Sequence, residues 1–301
     1  MNTQLTKATN LIVACLMALV PAVAGANTLE RIQNSQSVVL GYLPDFAPFS
    51  TQQGDKASGY AIDLCLNIVN TIKSELNLPS LQVRFQPVQL GEEVGAVSTG
   101  KIDILCTPTP TTLERRKTVS YSIPVYTAGL SAAVSKNAPN SLLRVLNAEV
   151  AKTGPIWRTD INRALANMTY ATIAGGATEQ WINQQMRSSG VVATLITVED
   201  TAAGLKCVAE GKADVFFAER TMLKHDLADK YSTGNIVLLD RVFEYSTTSM
   251  TVDRDDENFR LLVDTALSEL YRSGEIEHAY NKHLGGVSET SRMLFKLYAL
   301  P

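Results

Sequence analysis

Almost throughout, the chain alternates short apolar runs of strand length with segments whose apolar residues recur every three or four positions. That alternation points to an α/β architecture. Val38 to Leu43 reads as a strand, and Tyr60 to Leu76 places Ile62, Cys65, Leu66, Val69, Ile72 and Leu76 on one helical face while Lys73 and Glu75 point elsewhere. Leu81 to Val88 and Ile102 to Cys106 read as strands around a short helical stretch ending at Gly100, which completes β-α-β-α-β. A second series runs through Tyr170 to Ala174, a helix from Thr178 to Arg187, Val192 to Val198, a helix from Thr201 to Glu210, and Asp214 to Ala218.

Two such units need connections. Ser120 to Ser135 is long and β-rich, interrupted only by Pro124 and Gly129, as expected of extended chain crossing between lobes; Val242 to Val252 has the same character and carries the chain back. Glu257 to Leu284 reads as helical, with Phe259, Leu262, Val263, Ala266 and Leu270 on one stripe. Pro139, Gly154 and Pro155 break a helix-like pattern around Leu142 to Val150, and Asn137 to Asn167 reads as a loop-rich insertion in the second lobe. The expected division is a first lobe over residues 27–128, a second over 129–245, and a return to the first over 246–301. Two lobes joined by two crossings bind a ligand in the cleft between them and close by hinge motion.

The N-terminus sets the compartment. Lys7 precedes an apolar run from Leu11 to Val20, too short for a membrane span, and Ala24-Gly25-Ala26 offers a small-residue cleavage site. Residues 1–26 therefore read as a signal peptide, with the mature start near Asn27 and a periplasmic destination. The triplet before Cys15 imitates a lipoprotein box, but the apolar run continues past the cysteine instead of preceding it. A net charge of −3 argues against a nucleic-acid partner. Cys65, Cys106 and Cys207 remain after cleavage; at most one disulfide can form within the chain, their spacing fits no zinc site, and for most of them the reading is a small buried hydrophobe.

Several enzyme classes are excluded by motif. There is no G-x-S-x-G and no H-E-x-x-H, and His225, His278 and His283 show no ligand spacing with the cysteines, so neither metal nor cofactor is expected. Gly95 to Lys101 fits G-x-x-x-x-G-K, yet Ile102 stands where Ser or Thr would hold magnesium, and these glycines end a helix ahead of a strand, the reverse of a phosphate loop. The informative stretch is IDILCTPTPTTLERRKTVSYSIPVYTAG, Ile102 to Gly129. A strand ending in a Thr/Pro-rich turn and then Arg115 puts a guanidinium at the carboxyl ends of the strands, where ligands sit in open α/β sheets. Its planar donor fork suits a carboxylate. In isolation, Glu114 to Lys117 would equally be a solvated charged turn.

Together with GYAIDLCLNIVNTI at Gly59 to Ile72, this stretch resembles the periplasmic solute-binding proteins for polar amino acids, especially the glutamate/aspartate-type branch, from about Val38 to the end of the chain. The resemblance implies a two-lobed periplasmic-binding-protein-like fold (type II), an amino acid or related small carboxylate as ligand, the membrane permease of an ABC transporter as partner, and no enzymatic activity in most members; a monomer is expected. By position, Arg115 matches the arginine that clamps the ligand's α-carboxylate, and Thr178 the hydroxyl at the start of a second-lobe helix, where a plain N-cap is an equal reading. Glu219 matches the acidic residue that pairs with the ligand's ammonium, against the reading of a surface carboxylate beside Arg220. Phe46 stands where an aromatic ring floors the pocket, with a core role the alternative.

The departures are as informative. Pro108 and Pro110 replace the family's usual Ser or Thr, so Thr107 and Thr109 keep the only hydroxyls there. In the glutamate/aspartate branch, arginines for the second carboxylate stand at positions that align with Leu43 and Glu93. Glutamate and aspartate are therefore expected to be poor ligands, and a neutral or cationic amino acid, or a related monocarboxylate, a better one. Two other readings share the scaffold: an enzyme resembling the cyclohexadienyl dehydratases with Glu219 as general acid, and a sensor module addressing a membrane partner.

Overall fold

The computed structural model describes residues 27–149, 157–230 and 234–301; the expected signal peptide, residues 1–26, lies outside the described residues. In chain order the elements are α1 (Thr28–Ser35), β1 (Ser37–Tyr42), β2 (Asp45–Phe46), β3 (Ser50–Gln53), β4 (Lys56–Ser58), α2 (Tyr60–Glu75), β5 (Gln82–Pro87), α3 (Glu93–Ser98) and β6 (Ile104–Pro110). A 3-10 turn, Arg115–Lys117, leads into the long β7 (Val119–Ser135). Next come α4 (Asn140–Leu146), α5 (Trp157–Leu165), β8 (Thr169–Ile173), α6 (Ala177–Ser189), β9 (Thr194–Val198), α7 (Thr201–Ala209), β10 (Val215–Glu219), α8 (Arg220–Lys230) and β11 (Ile236–Leu238). The chain finishes with β12 (Glu244–Asp253), α9 (Glu257–Ser273), α10 (Glu275–His283) and α11 (Glu289–Tyr298).

Among the described residues, nine strands form one sheet ordered β5-β1-β6-β12-β7-β10-β8-β9, with β11 also on β7. The architecture is a two-lobed α/β fold. Each lobe contributes a parallel set, β1 with β5 and β6 in one and β8 with β9 and β10 in the other, and the two antiparallel strands β7 and β12 run through the middle. Strand β7 pairs with β12 from Val119 to Leu130, then with β10 and β11 as far as Ser135.

The apolar cores divide the same way. One cluster gathers Val38, Leu40, Ile62, Cys65, Ile68, Ile72, Phe259, Val263 and Leu267, the packed faces of β1, α2 and α9. Two others take residues between Leu130 and Phe243, including Ala132, Tyr170, Phe217, Leu205 and Phe216. The C-terminal helices belong to the first group: Phe295 of α11 is buried against Tyr271 and Tyr280.

Three expectations need correction. The described residues of the stretch expected to be loop-rich hold two helices, α4, which buries Leu142 and Leu146 in the second lobe, and α5; Pro139 sits at the N-cap of α4, where its missing N–H breaks no helical bond. Strand β6 continues past Cys106 to Pro110, since β12 shifts register between Ser249 and Thr251, leaving Pro108 opposite an irregularity where no ladder donor is required. Cys65 and Cys106 form a disulfide linking α2 to β6, while Cys207 is free. As the order of elements implies, α3 and Gly100 precede β6, the reverse of a phosphate loop. Among the described residues no helix is long and apolar enough to cross a membrane, and no group of His, Cys, Asp and Glu could hold a metal ion.

Candidate functional site

A cavity of about 420 Å³ lies between the two lobes, and Phe46, Thr109, Arg115, Thr178 and Glu219 all line it. The first-lobe wall is fixed by hydroxyl bonds. The Leu43 amide donates to Thr107 Oγ1 at 3.0 Å, Ser50 Oγ donates to the Leu43 carbonyl at 2.8 Å, and the Ser50 and Thr107 hydroxyls are 2.7 Å apart. Thr109 is buried, and its hydroxyl donates to the Thr107 carbonyl at 3.1 Å, so it braces the carboxyl end of β6 at the cavity edge.

Arg115 reaches this wall because Thr112 organises the turn before it, its Oγ1 accepting the Arg115 amide and its carbonyl the Arg116 amide. Of the charged run, Glu114, Arg116 and Lys117 stay exposed, and Glu114 pairs with Lys117 in solvent; Arg115 alone turns inward, its side chain 21% exposed. Its Nη2 lies 3.3 Å from Glu93 Oε1, and Glu93, on the first turn of α3, is a buried carboxylate with a side chain only 3% exposed. One edge of the guanidinium thus meets an internal carboxylate, the Tyr121 hydroxyl also lies close to it, and its other donors border the cavity.

The second-lobe wall is the start of α6. Gly176 is the N-cap and has no side chain to bond the first turn; Thr178 is the second helical residue, which corrects the plain N-cap reading. Gly176, Ala177 and Thr178 all line the cavity, so the helix presents free amides and its positive dipole end there. Trp181 of the same helix lines it too and packs on Phe217, ring centroids 5.8 Å apart.

Glu219 joins the lobes. Its Oε1 accepts the Tyr126 hydroxyl at 3.0 Å and the Gly129 amide at 3.4 Å, both from β7; its Oε2 accepts the amides of Thr221 at 2.6 Å and Met222 at 2.9 Å, in the manner of a helix cap on α8. Burial pushes its carboxyl above the usual range, with the four donors pulling it part of the way back. The Tyr126 phenol is likewise driven up, chiefly by burial and then by the Glu219 charge. Glu219 is therefore no surface carboxylate; its remaining exposure is to the cavity it lines, and Arg220 turns instead to Ser131, the Leu239 carbonyl and Asp240. Phe46 is partly buried and packs against Phe49 at 6.4 Å, and Phe49 lies against Tyr126 at 4.8 Å with the rings tilted.

Sequence reasoning missed Tyr126, Trp181 and the approach of Glu93 to Arg115. The first two sit inside elements whose apolar pattern already explains them, and Glu93 is separated from Arg115 by a helix and a strand with no local motif linking them.

The model of the bacterial extracellular solute-binding proteins, family 3, matches residues 38–286. The L-glutamate/L-aspartate-binding protein of Pseudomonas aeruginosa is 27% identical over 277 residues, covering 91% of this chain and 85% of the relative. Among solved structures, a mutant of ArgBP from T. maritima superposes with a TM-score of 0.68 over 86% of this chain and 99% of its own, at 18% identity. An ancestral amino acid-binding protein, a precursor of cyclohexadienyl dehydratase, gives 0.68 over 86% of this chain and 100% of its own, at 22% identity. At such identities the two structures speak for the fold alone.

Proposed function

The chain belongs to the bacterial extracellular solute-binding proteins of family 3, and from that premise we propose that it is the ligand-capturing receptor of an ATP-driven importer, holding an amino acid or related small carboxylate between its lobes. The observation that carries this reading is the pairing across one cavity of a part-buried arginine on one lobe with an uncapped helix N-terminus on the other. Both favour an anion. The ligand's α-carboxylate engages the free donors of Arg115 in the open cleft, and closure brings the first amides of α6 and the Thr178 hydroxyl onto it; the permease then reads the closed shape. Thr109 and Phe46 shape the first-lobe side, and the lobes divide at residues 27–128, 129–245 and 246–301. Export by a signal peptide cleaved near Ala26, a periplasmic location and a monomeric state complete the proposal.

The dehydratase-like alternative needs Glu219 to exchange a proton with substrate, and a carboxylate already accepting four hydrogen bonds is poorly placed for that. Incubation with prephenate or arogenate, watching for an aromatic product, separates the two. The receptor reading is tested by a thermal-shift screen against amino acids and small organic acids, because a ligand held by the native cleft raises the melting temperature. Arg115→Ala is expected to weaken the best ligand by roughly 30-fold or more, about 2 kcal/mol upward. A panel without a single stabilising compound overturns the proposal.

A further inference from the structure

The charged groups on the cavity wall narrow the ligand further. Arg115 shares the cavity wall with Glu93, Glu219 and Glu244, and it is the only lysine or arginine among the described residues that line the cavity. The three carboxylates differ in what they can still accept. Glu219 already takes four donors, and Glu244 is exposed at the mouth. Glu93 is enclosed: its Oε2 takes the Gly91 amide, and its Oε1 meets Arg115 at 3.3 Å, longer than the roughly 2.7–2.9 Å of a tight charge-assisted bond. It retains acceptor capacity inside the cleft.

This inference rests on the amino-acid reading above. Once an α-carboxylate occupies the Arg115 fork, one guanidinium serves two anions, and Glu93 is left in an enclosed site without a full counter-charge, an arrangement that is costly when water is excluded. A zwitterionic ligand adds no net charge to the site, and an acidic one makes the imbalance worse. We propose that Glu93 is the specificity residue of this cleft and that the ligand is an amino acid with a cationic side chain, a guanidinium or an ammonium, which Glu93 accepts. Phe46 and Trp181 also line the cavity, and aromatic rings there attract such a cation. The volume of about 420 Å³ leaves room for a long side chain.

The test is calorimetric titration of the refolded, ligand-stripped protein with arginine, lysine, citrulline, glutamine and glutamate. Citrulline matters most, because it has the shape of arginine without its charge. Arginine or lysine is expected to bind at least tenfold tighter than citrulline, with glutamate weakest. Glu93→Gln is expected to erase that preference by weakening the cationic ligand at least tenfold while changing citrulline little. Citrulline or glutamine binding as tightly as the cationic amino acids overturns the inference and leaves the receptor reading standing, whereas no binding by any amino acid removes both. Should Glu93→Gln fail to fold, the arginine–citrulline comparison on the unaltered protein decides alone.

Discussion

Replacing Cys65 and Cys106 together by alanine opens a cross-link that closes a loop of sequence separation 41 between α2 and β6. In the chain-entropy model, closing such a loop removes about 13 cal/mol/K from the unfolded ensemble, or about 4 kcal/mol at 25 °C. Both sulfurs are 0% exposed, so the deletion also leaves small voids, and alanine avoids burying a new hydroxyl. With a urea slope of about 1–3 kcal/mol/M, the unfolding midpoint should fall by roughly 1.3–4 M. The cavity should survive the change, because Thr107, the residue after Cys106, stays held by Ser50 and the Leu43 amide. Ligand-induced stabilisation, measured below the new midpoint, should therefore persist. A midpoint shift under about 0.3 M at unchanged slope would refute the loop-entropy reasoning; loss of ligand response in a folded variant would refute the claim that the hydroxyl bonds alone hold that wall.

Gly204→Ala should destabilise by about 1–3 kcal/mol in chemical denaturation, since the added methyl would lie 2.2 Å from the ring of Phe216, itself 0% exposed, and overpacking outweighs the better helix propensity of alanine. Glu219→Gln should lower the melting temperature, because the new amide NH₂ would face donors from Thr221, Met222 or β7, at a cost of about 1–3 kcal/mol; an unchanged melting temperature would show that the four bonds contribute nothing. Asp63 ties α2 to α10 through Lys282 at 2.7 Å and His283 at 2.8 Å; burial alone would raise its carboxyl, but the two partners overcome this and hold it low. Its stabilisation is therefore complete above the unfolded value of 3.8 and is lost as pH falls through the lower folded value, so Asp63→Asn should flatten the melting-temperature profile below pH 3.8.

The strongly periodic elements were legible from sequence because one physical demand sets each of them. Tyr60 to Glu75 must bury one helical face, and Val119 to Ser135 has too few breakers to turn. Residues 140–146 showed only as a broken helix-like pattern, since three breakers in the surrounding stretch obscure a helix that the second-lobe core stabilises through Leu142 and Leu146. At the site, Arg115 could be singled out because a guanidinium after a β6-type strand end has a chemical use. The carboxylate opposing it could not, since the contact between Glu93 and Arg115 exists only after α3 and β6 have packed. Nor could spacing tell that Glu219 would spend its lone pairs on β7 and α8, because that depends on where Tyr126 and Gly129 fall along a crossing strand.

Gly129 and Tyr245 stand opposite each other across β7 and β12, and the two second-lobe cores draw their members from the chain between those positions. The polypeptide thus departs and returns at neighbouring points, like a cartridge clipped into a holder through a single slot. A short turn from residue 129 to 245 would excise the cartridge and keep the holder's strand order, and a homologous cartridge could be grafted into the same slot. Chimeras joined there would inherit Arg115 and Glu93 from one parent and the α6 amides from the other, so the two walls of the cleft could come from different ancestors.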